Sequence, residues 1–408
     1  GNYNTVVGDE AGTAITTGDY NVAVGFDAGS ELTTGSENIL IGGKAGDALT
    51  TASGNLAIGR ASLTSDTLGS ASTAIGFQTL QNQNFTSATS TYNVAVGYQA
   101  GSVVTTGVEN TLIGGLAGDA ITTAVGNTAV GYSSLSTNTT GNYNVAVGSV
   151  ALLGNTTGSS NTAVGLSALE VNTTASNGTA MGFRALKLNT TGANNTAVGS
   201  SALYANTTGS NNVAVGSLAL DANTTGGENT AVGYHSLSTA TTADNNTAFG
   251  YTALRDNTSG TSNLAVGVNT LRLNTTASNN TGVGAFALDV NTTGASNTAL
   301  GSAALGANTT AANNTAVGYS ALKASTTGAN NVAVGALALD ANTTADNNTA
   351  VGNGALTGNT TGAQNTSLGT NALASNTTAS YNNAFGFQAV YGNTTGTENI
   401  GVGHNALL

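Results

Sequence analysis

Asn195-Thr196-Ala197-Val198-Gly199-Ser200-Ser201-Ala202-Leu203-Tyr204-Ala205-Asn206-Thr207-Thr208-Gly209 recurs, with variations, along the whole of this 408-residue chain. Alignment on Gly199 gives Gly8, Gly25, Gly42, Gly59 and Gly76, then Gly97 and every seventeenth residue to Gly403, 24 copies in all. The phase breaks once, by four extra residues within Gln81-Asn82-Gln83-Asn84-Phe85-Thr86-Ser87. Positions below are counted from this phased glycine as position 0. A 17-residue unit is too short for a helical pair or a propeller blade and fits one coil of a β-solenoid. Regular Gly and abundant Thr and Val argue against helix. The sequence therefore predicts an all-β chain, a parallel β-roll or β-solenoid of about 24 coils. Residues 1–408 read as one continuous solenoid, with mixed coil types over 1–130, the insertion near 81–88, and regular Asn-Thr-Thr-Gly coils over 131–408.

Within each copy, a large apolar residue precedes the phased glycine: Val in most copies, Ile58, Met181, Phe249 or Leu300 in others. Thr, Val, Ile or Leu nearly always stands at −3, and Ala at −2 in 18 of the 24 copies. Strand alternation puts −3 and −1 on one face and the alanines on the other. Residues so small imply that another backbone approaches the alanine face. Two or three aliphatics and a few alanines offset little of the entropy lost on ordering 17 residues. Hydrogen bonding along the stack is expected to supply part of the remainder, and lateral association through the alanine-rich face the rest.

An exchange between two columns defines an interior. Nineteen copies carry a branched aliphatic at +4, such as Leu203, Leu220 or Val390. Five carry glycine there (Gly12, Gly29, Gly46, Gly101 and Gly118), and those five alone place an aliphatic at +7: Ile15, Leu32, Leu49, Val104 and Ile121, where other copies usually have Asn. Apolar volume moves without being lost, as expected of two positions facing one packed space. Charges cluster at +5 (Glu170, Lys187, Asp221, Arg255, Arg272, Asp289, Lys323, Asp340) and at −5 or −6 (Asp19, Glu37, Glu109, Glu228, Asp244, Asp346, Glu398). These columns are expected to be solvent-facing corners. The Asn columns at −4 and +7 are expected to form stacked ladders, since Asn tolerates left-handed backbone angles and its amide bonds to the next Asn.

The composition excludes several functions. Only 6% of residues are charged, and 7 Lys and Arg face 19 Asp and Glu, so the basic patch that nucleic-acid binding requires is missing. A hydrophobic content of 39%, spread evenly, separates the chain from disordered linkers. With no Cys there are neither disulfides nor thiolate metal sites, and no apolar run reaches the length of a membrane span. Gly1-Asn2-Tyr3-Asn4 does not open a signal peptide, so the chain reads as a mature or excised segment. His235 and His404 lie many coils apart at different coil positions, which argues against a Ser-His-Asp triad or a His metal cluster and for a non-enzymatic chain without cofactor or metal. Gly42-Gly43-Lys44 lacks the phosphate-loop spacing, and the Asp residues do not form calcium nonapeptides.

One column carries a binding expectation. Phe26, Phe77, Tyr98, Tyr132, Phe183, Tyr234, Tyr251, Tyr319 and Phe387 all occupy +1 and so fall on one line of the stack. They read either as packing at a corner or between chains, or as an exposed stripe that stacks on sugars or on a partner surface. The Thr columns raise ice binding as a further reading, against which Thr207 and Thr208, being adjacent, should point to opposite faces.

The element Asn144-Val145-Ala146-Val147-Gly148, repeated as Asn212-Val213-Ala214-Val215-Gly216, resembles the head repeat of the YadA-like trimeric autotransporter adhesins, and the likeness extends along the whole chain. It is also similar to repeat arrays of phage tail-fibre-like proteins. The resemblance implies a left-handed parallel β-roll, a homotrimer, an extracellular place on a cell surface or virion, and attachment to a host-cell, matrix or glycan surface. The implied function is the shaft or head of an adhesin; a phage tail-fibre shaft and a subunit of an end-to-end filament are the alternatives. The family's repeat is shorter, and the extra residues here fall in the Asn-Thr-Thr-Gly turn.

Overall fold

The computed structural model describes residues 1–407, which form two compact units, 1–208 and 209–407, and no helix occurs among the described residues. Each unit is a parallel β-solenoid. In the first, three-residue strands run from Thr5–Val7 to Thr196–Val198, and in the second from Val213–Val215 to Ile400–Val402, one strand for each phased glycine. Consecutive strands within a unit pair parallel and in register, as in Thr128↔Val145, Ala129↔Ala146 and Val130↔Val147. The four-residue insertion leaves that register intact: Thr73 pairs with Val94 and Ala74 with Ala95, while Gly69–Ser70 and Thr89–Ser90 form a short second pairing beside it.

The phased glycine is fixed twice over. Its φ lies between +124° and +142° in every copy, a region open to glycine alone. The next coil also passes too close for a side chain: a Cβ on Gly148 would stand 2.6 Å from the Gly165 carbonyl oxygen. Three further columns, −5, +2 and +4, turn the chain with non-glycine residues in the left-handed region, such as Ser160 at φ +59°, Ser167 at φ +57° and Leu169 at φ +52°. For a leucine this conformation costs roughly 1–2 kcal/mol, which burial of its side chain, about 1.5–3 kcal/mol, offsets.

The interior is built from −4, −2, +3, +4 and +7. Ala163, Ala168, Leu169 and Asn172 are all fully buried in one coil. This corrects the expectation that the alanine column serves lateral association. Ala at −2 faces the inside of its own coil, and what comes close to it is not another backbone but the side chains at +3 and +4. A Cβ on Gly282, which replaces Ala in that column, would lie 2.7 Å from the Thr270 side chain of the preceding coil.

Both Asn columns are buried and form the expected ladders. At −4, Asn38 Oδ1 accepts the Asn55 N–H at 3.0 Å, and Asn38 Nδ2 donates to the Ala52 carbonyl at 3.0 Å. At +7, Asn155 Nδ2 donates to Asn138 Oδ1 at 2.8 Å and to the Gly158 carbonyl at 2.9 Å. The Thr column at +8 joins them: Thr139 Oγ1 donates to the Thr156 carbonyl at 3.1 Å, and Thr156 repeats the contact with Thr173 at 3.0 Å. Those hydroxyls are spent on the stack rather than left to water. Buried polar groups so paired avoid the desolvation cost of unmet hydrogen bonds.

Candidate interaction face

Outward-facing residues at −3 and −1 lie half-buried on the strand sheet of each unit, with the buried Ala between them. The −1 column is apolar in every copy, and neither column contains a charged residue. Where the −1 residue is larger the exposure is considerable, as at Met181 and Phe249, the latter 56% exposed. Such a face, uncharged, with an apolar −1 column beside a largely Thr −3 column and its backbone already paired along the stack, is suited to packing against another surface.

The aromatic column at +1 borders this face. Phe26, Tyr98, Tyr132, Phe183, Tyr234, Tyr251, Tyr319 and Phe387 are exposed and Phe77 half-exposed. Phe77 stacks on Tyr98 with ring centroids 5.6 Å apart, and Tyr234 on Tyr251 at the same distance. The other five have glycine or a non-aromatic residue at +1 in the coils before and after, or His404 in the case of Phe387, so the column is a broken line of rings. Arg60 lies over Phe77 at 5.8 Å and Arg184 over Phe183 at 4.8 Å, each using a ring as partner for its charge. His235 meets Tyr234 edge-on at 4.3 Å, and His404 stacks on Phe387 at 5.1 Å.

A second aromatic column was not anticipated. Tyr3, Tyr20, Tyr92, Tyr143 and Tyr381 all occupy −5, all in the left-handed region, and all are exposed. Tyr3 and Tyr20 stack at 5.0 Å. The signal is present in the sequence as a Tyr-Asn dipeptide ahead of five strands. With it, the outward strand columns have aromatic residues at both chain-wise ends of the strand.

At −5 and −6 the charged residues Glu37, Glu109, Glu228, Asp244, Asp346 and Glu398 are exposed, as expected of a solvent-facing corner, whereas at +5 all of the charged residues named above but Lys323 are half-buried, because stacked neighbours there cover one another. Lys187 pairs with Glu170 at 3.3 Å and Arg272 with Asp289 at 2.8 Å, all four half-buried. Burial pushes the Asp119 and Asp221 carboxyls above their ordinary value. At −6, Asp244 Oδ1 accepts the Gly227 N–H of the preceding coil at 2.7 Å, a contact Ser70 makes to the Ser53 N–H at 3.0 Å. Carboxylate or hydroxyl at −6 thus links coils.

Fold and face together define a β-solenoid repeat protein with an uncharged strand surface. No family model matches the chain, and no curated protein matches it either.

Proposed function

We propose that the chain is a non-enzymatic structural element, the shaft or head of an extracellular surface fibre that mediates attachment, and that it acts as a left-handed homotrimer. The observation that carries this reading is the uncharged strand face with an apolar residue at every −1 position. A face of half-buried Val with exposed Ile, Met and Phe is an unfavourable surface to leave in water, and its 17-residue spacing gives a second copy of the chain the same columns at the same intervals. The alanine interior is closed within each coil, so association uses the Thr/Val side. The resemblance of Asn144-Val145-Ala146-Val147-Gly148 to trimeric adhesin heads points the same way, and the exposed rings at +1 and −5 give attachment its contact groups. Light scattering on the soluble chain at micromolar concentration tests the assembly. The expected mass is three times 39.5 kDa, and a clean monomer would overturn the trimer.

A further inference from the structure

Position +5 carries Asp289 in one coil of the second unit and Lys323 two coils later, and between them it carries Gly306. The missing side chain leaves an open notch of about 820 Å³ lined by Phe286, Asp289, Val290, Ala303, Ala307 and Lys323. That is a volume typical of small-molecule sites. The backbone does not require glycine here: Gly306 lies outside the left-handed region, and an added Cβ would come no nearer than 3.1 Å to another residue, the Ala303 carbonyl oxygen. Other coils hold Tyr204, Arg255 or Tyr391 at the same position.

The walls of the notch differ in charge state. Of the seven Lys and Arg side chains, Lys44, Lys187, Arg255 and Arg272 make ion pairs, and Arg60 and Arg184 lie over aromatic rings. Among the described residues, Lys323 is the one cation with neither kind of partner, and it is exposed. On the facing wall, the Asp289 carboxylate is held by Arg272 through Nε at 2.8 Å and Nη2 at 3.4 Å, so it is neutralised yet keeps lone pairs able to accept hydroxyl hydrogen bonds. The Phe286 ring, 46% exposed, supplies a flat apolar surface.

We infer that this notch binds an acidic sugar residue of the uronic acid type, its carboxylate on Lys323, its hydroxyls toward Asp289 and its apolar ring face on Phe286. Charge complementarity selects the acid. The site uses only positions +2, +5 and +6 of one chain, so it stands independently of the trimer and of the strand face. Saturation-transfer NMR titration of the full chain with methyl glucuronide and its uncharged counterpart, methyl glucoside, tests it. The glucuronide is expected to bind with Kd around the millimolar range and the glucoside about tenfold more weakly. Lys323→Met should reduce the glucuronide to the level of the glucoside. Gly306→Tyr, a residue this column already accommodates, should abolish binding of both. Equal binding of the two sugars, no binding of either, or full retention in Gly306→Tyr would overturn the proposal. Lys323→Met alters an exposed side chain, so its result holds even if the tyrosine variant folds poorly.

Discussion

Coils built on Leu169 and Asn172 and coils built on Gly118 and Ile121 fill the same interior in opposite ways. In the first kind, Leu at +4 occupies the space and Asn at +7 continues a buried amide ladder, as Asn172 does by donating to Asn155 Oδ1 at 2.7 Å. In the second, Ile121 at +7 is fully buried, and Gly118 at +4 must stay bare, because a Cβ there would lie 2.7 Å from Leu112 and 2.8 Å from Ile121. The exchange extends to a third column. Leu112 and Leu40 replace Ala at −2 in two of the five glycine coils, and a Cβ on Gly46 would meet both Leu40 and Leu49 at 2.8 Å. Leu32, Leu49, Val104 and Ile121 are all fully buried, while Ile15 in the first coil is only half-buried. One scaffold thus accepts two interiors, one held by volume and the other partly by hydrogen bonds, because the turn geometry around them is shared.

The shared part should be the most fragile. Gly148→Ala places a Cβ 2.6 Å from the Gly165 carbonyl oxygen at a φ of +131°, and no neighbouring side chain can move aside to compensate. A loss above about 4 kcal/mol is expected, read as a collapse of the urea midpoint followed by circular dichroism. A loss below about 1 kcal/mol would mean that the coil spacing is adjustable and the glycine column dispensable.

Conversion of one coil type into the other should have a smaller and recoverable effect. Asn155→Leu removes the amide bonded to Asn138 Oδ1, the Gly158 carbonyl and Asn172 Nδ2, and crowds Leu152. A loss on the order of 3–5 kcal/mol is expected. Leu152→Gly alone opens a cavity but relieves a left-handed leucine at φ +54°, for a net loss of roughly 2–4 kcal/mol. The double variant rebuilds the Ile121-type interior, so its loss should fall short of the sum by at least about 1 kcal/mol, leaving the interrupted ladder as the residual cost. Strict additivity in a double-mutant cycle would show that the two columns do not share one space.

The exchange itself was legible because it is a correlation within one sequence: glycine at +4 occurs only with an aliphatic at +7. Period, strand positions and Asn ladders were legible for the same reason, repetition of a local pattern. Which strand face is inside was not. Alternation separates Ala197 from Thr196 and Val198 but assigns neither side to the interior, and the usual rule that larger apolar residues are buried points the wrong way in a coil too thin for two layers of them. The resolving signal was Leu40 with Gly46 and Leu112 with Gly118, where an enlarged −2 residue is matched by a loss at +4. The exposed Tyr column at −5 went unseen because only five copies carry it, and the notch at Gly306 because one missing side chain has meaning only beside Phe286 and Lys323 in space.

The smallest expected effect concerns what the two coil types have in common at their charged corner. Asp119 follows Gly118 in one type and Asp221 follows Leu220 in the other, and both carboxyls are raised above their ordinary value chiefly by burial, opposed by their own backbone N–H and, for Asp221, also by His235. Each leaves one buried oxygen without a hydrogen-bond partner. A folded-state value above the unfolded one means that the native chain holds the proton more tightly. The stabilising contribution is therefore fully present below the ordinary carboxyl value and is lost as pH rises through the raised one. Asp119→Asn should raise the urea midpoint slightly at pH 7 and converge with the parent toward pH 4, where the parent carboxyl is itself becoming neutral. Asp221→Asn should do the same by less, since His235 already favours the charged form. Pairs of pH–stability curves that run parallel, or an Asn variant less stable at pH 7, would show that the corner is solvated well enough for burial not to matter, and would separate it from the two interiors whose packing it borders.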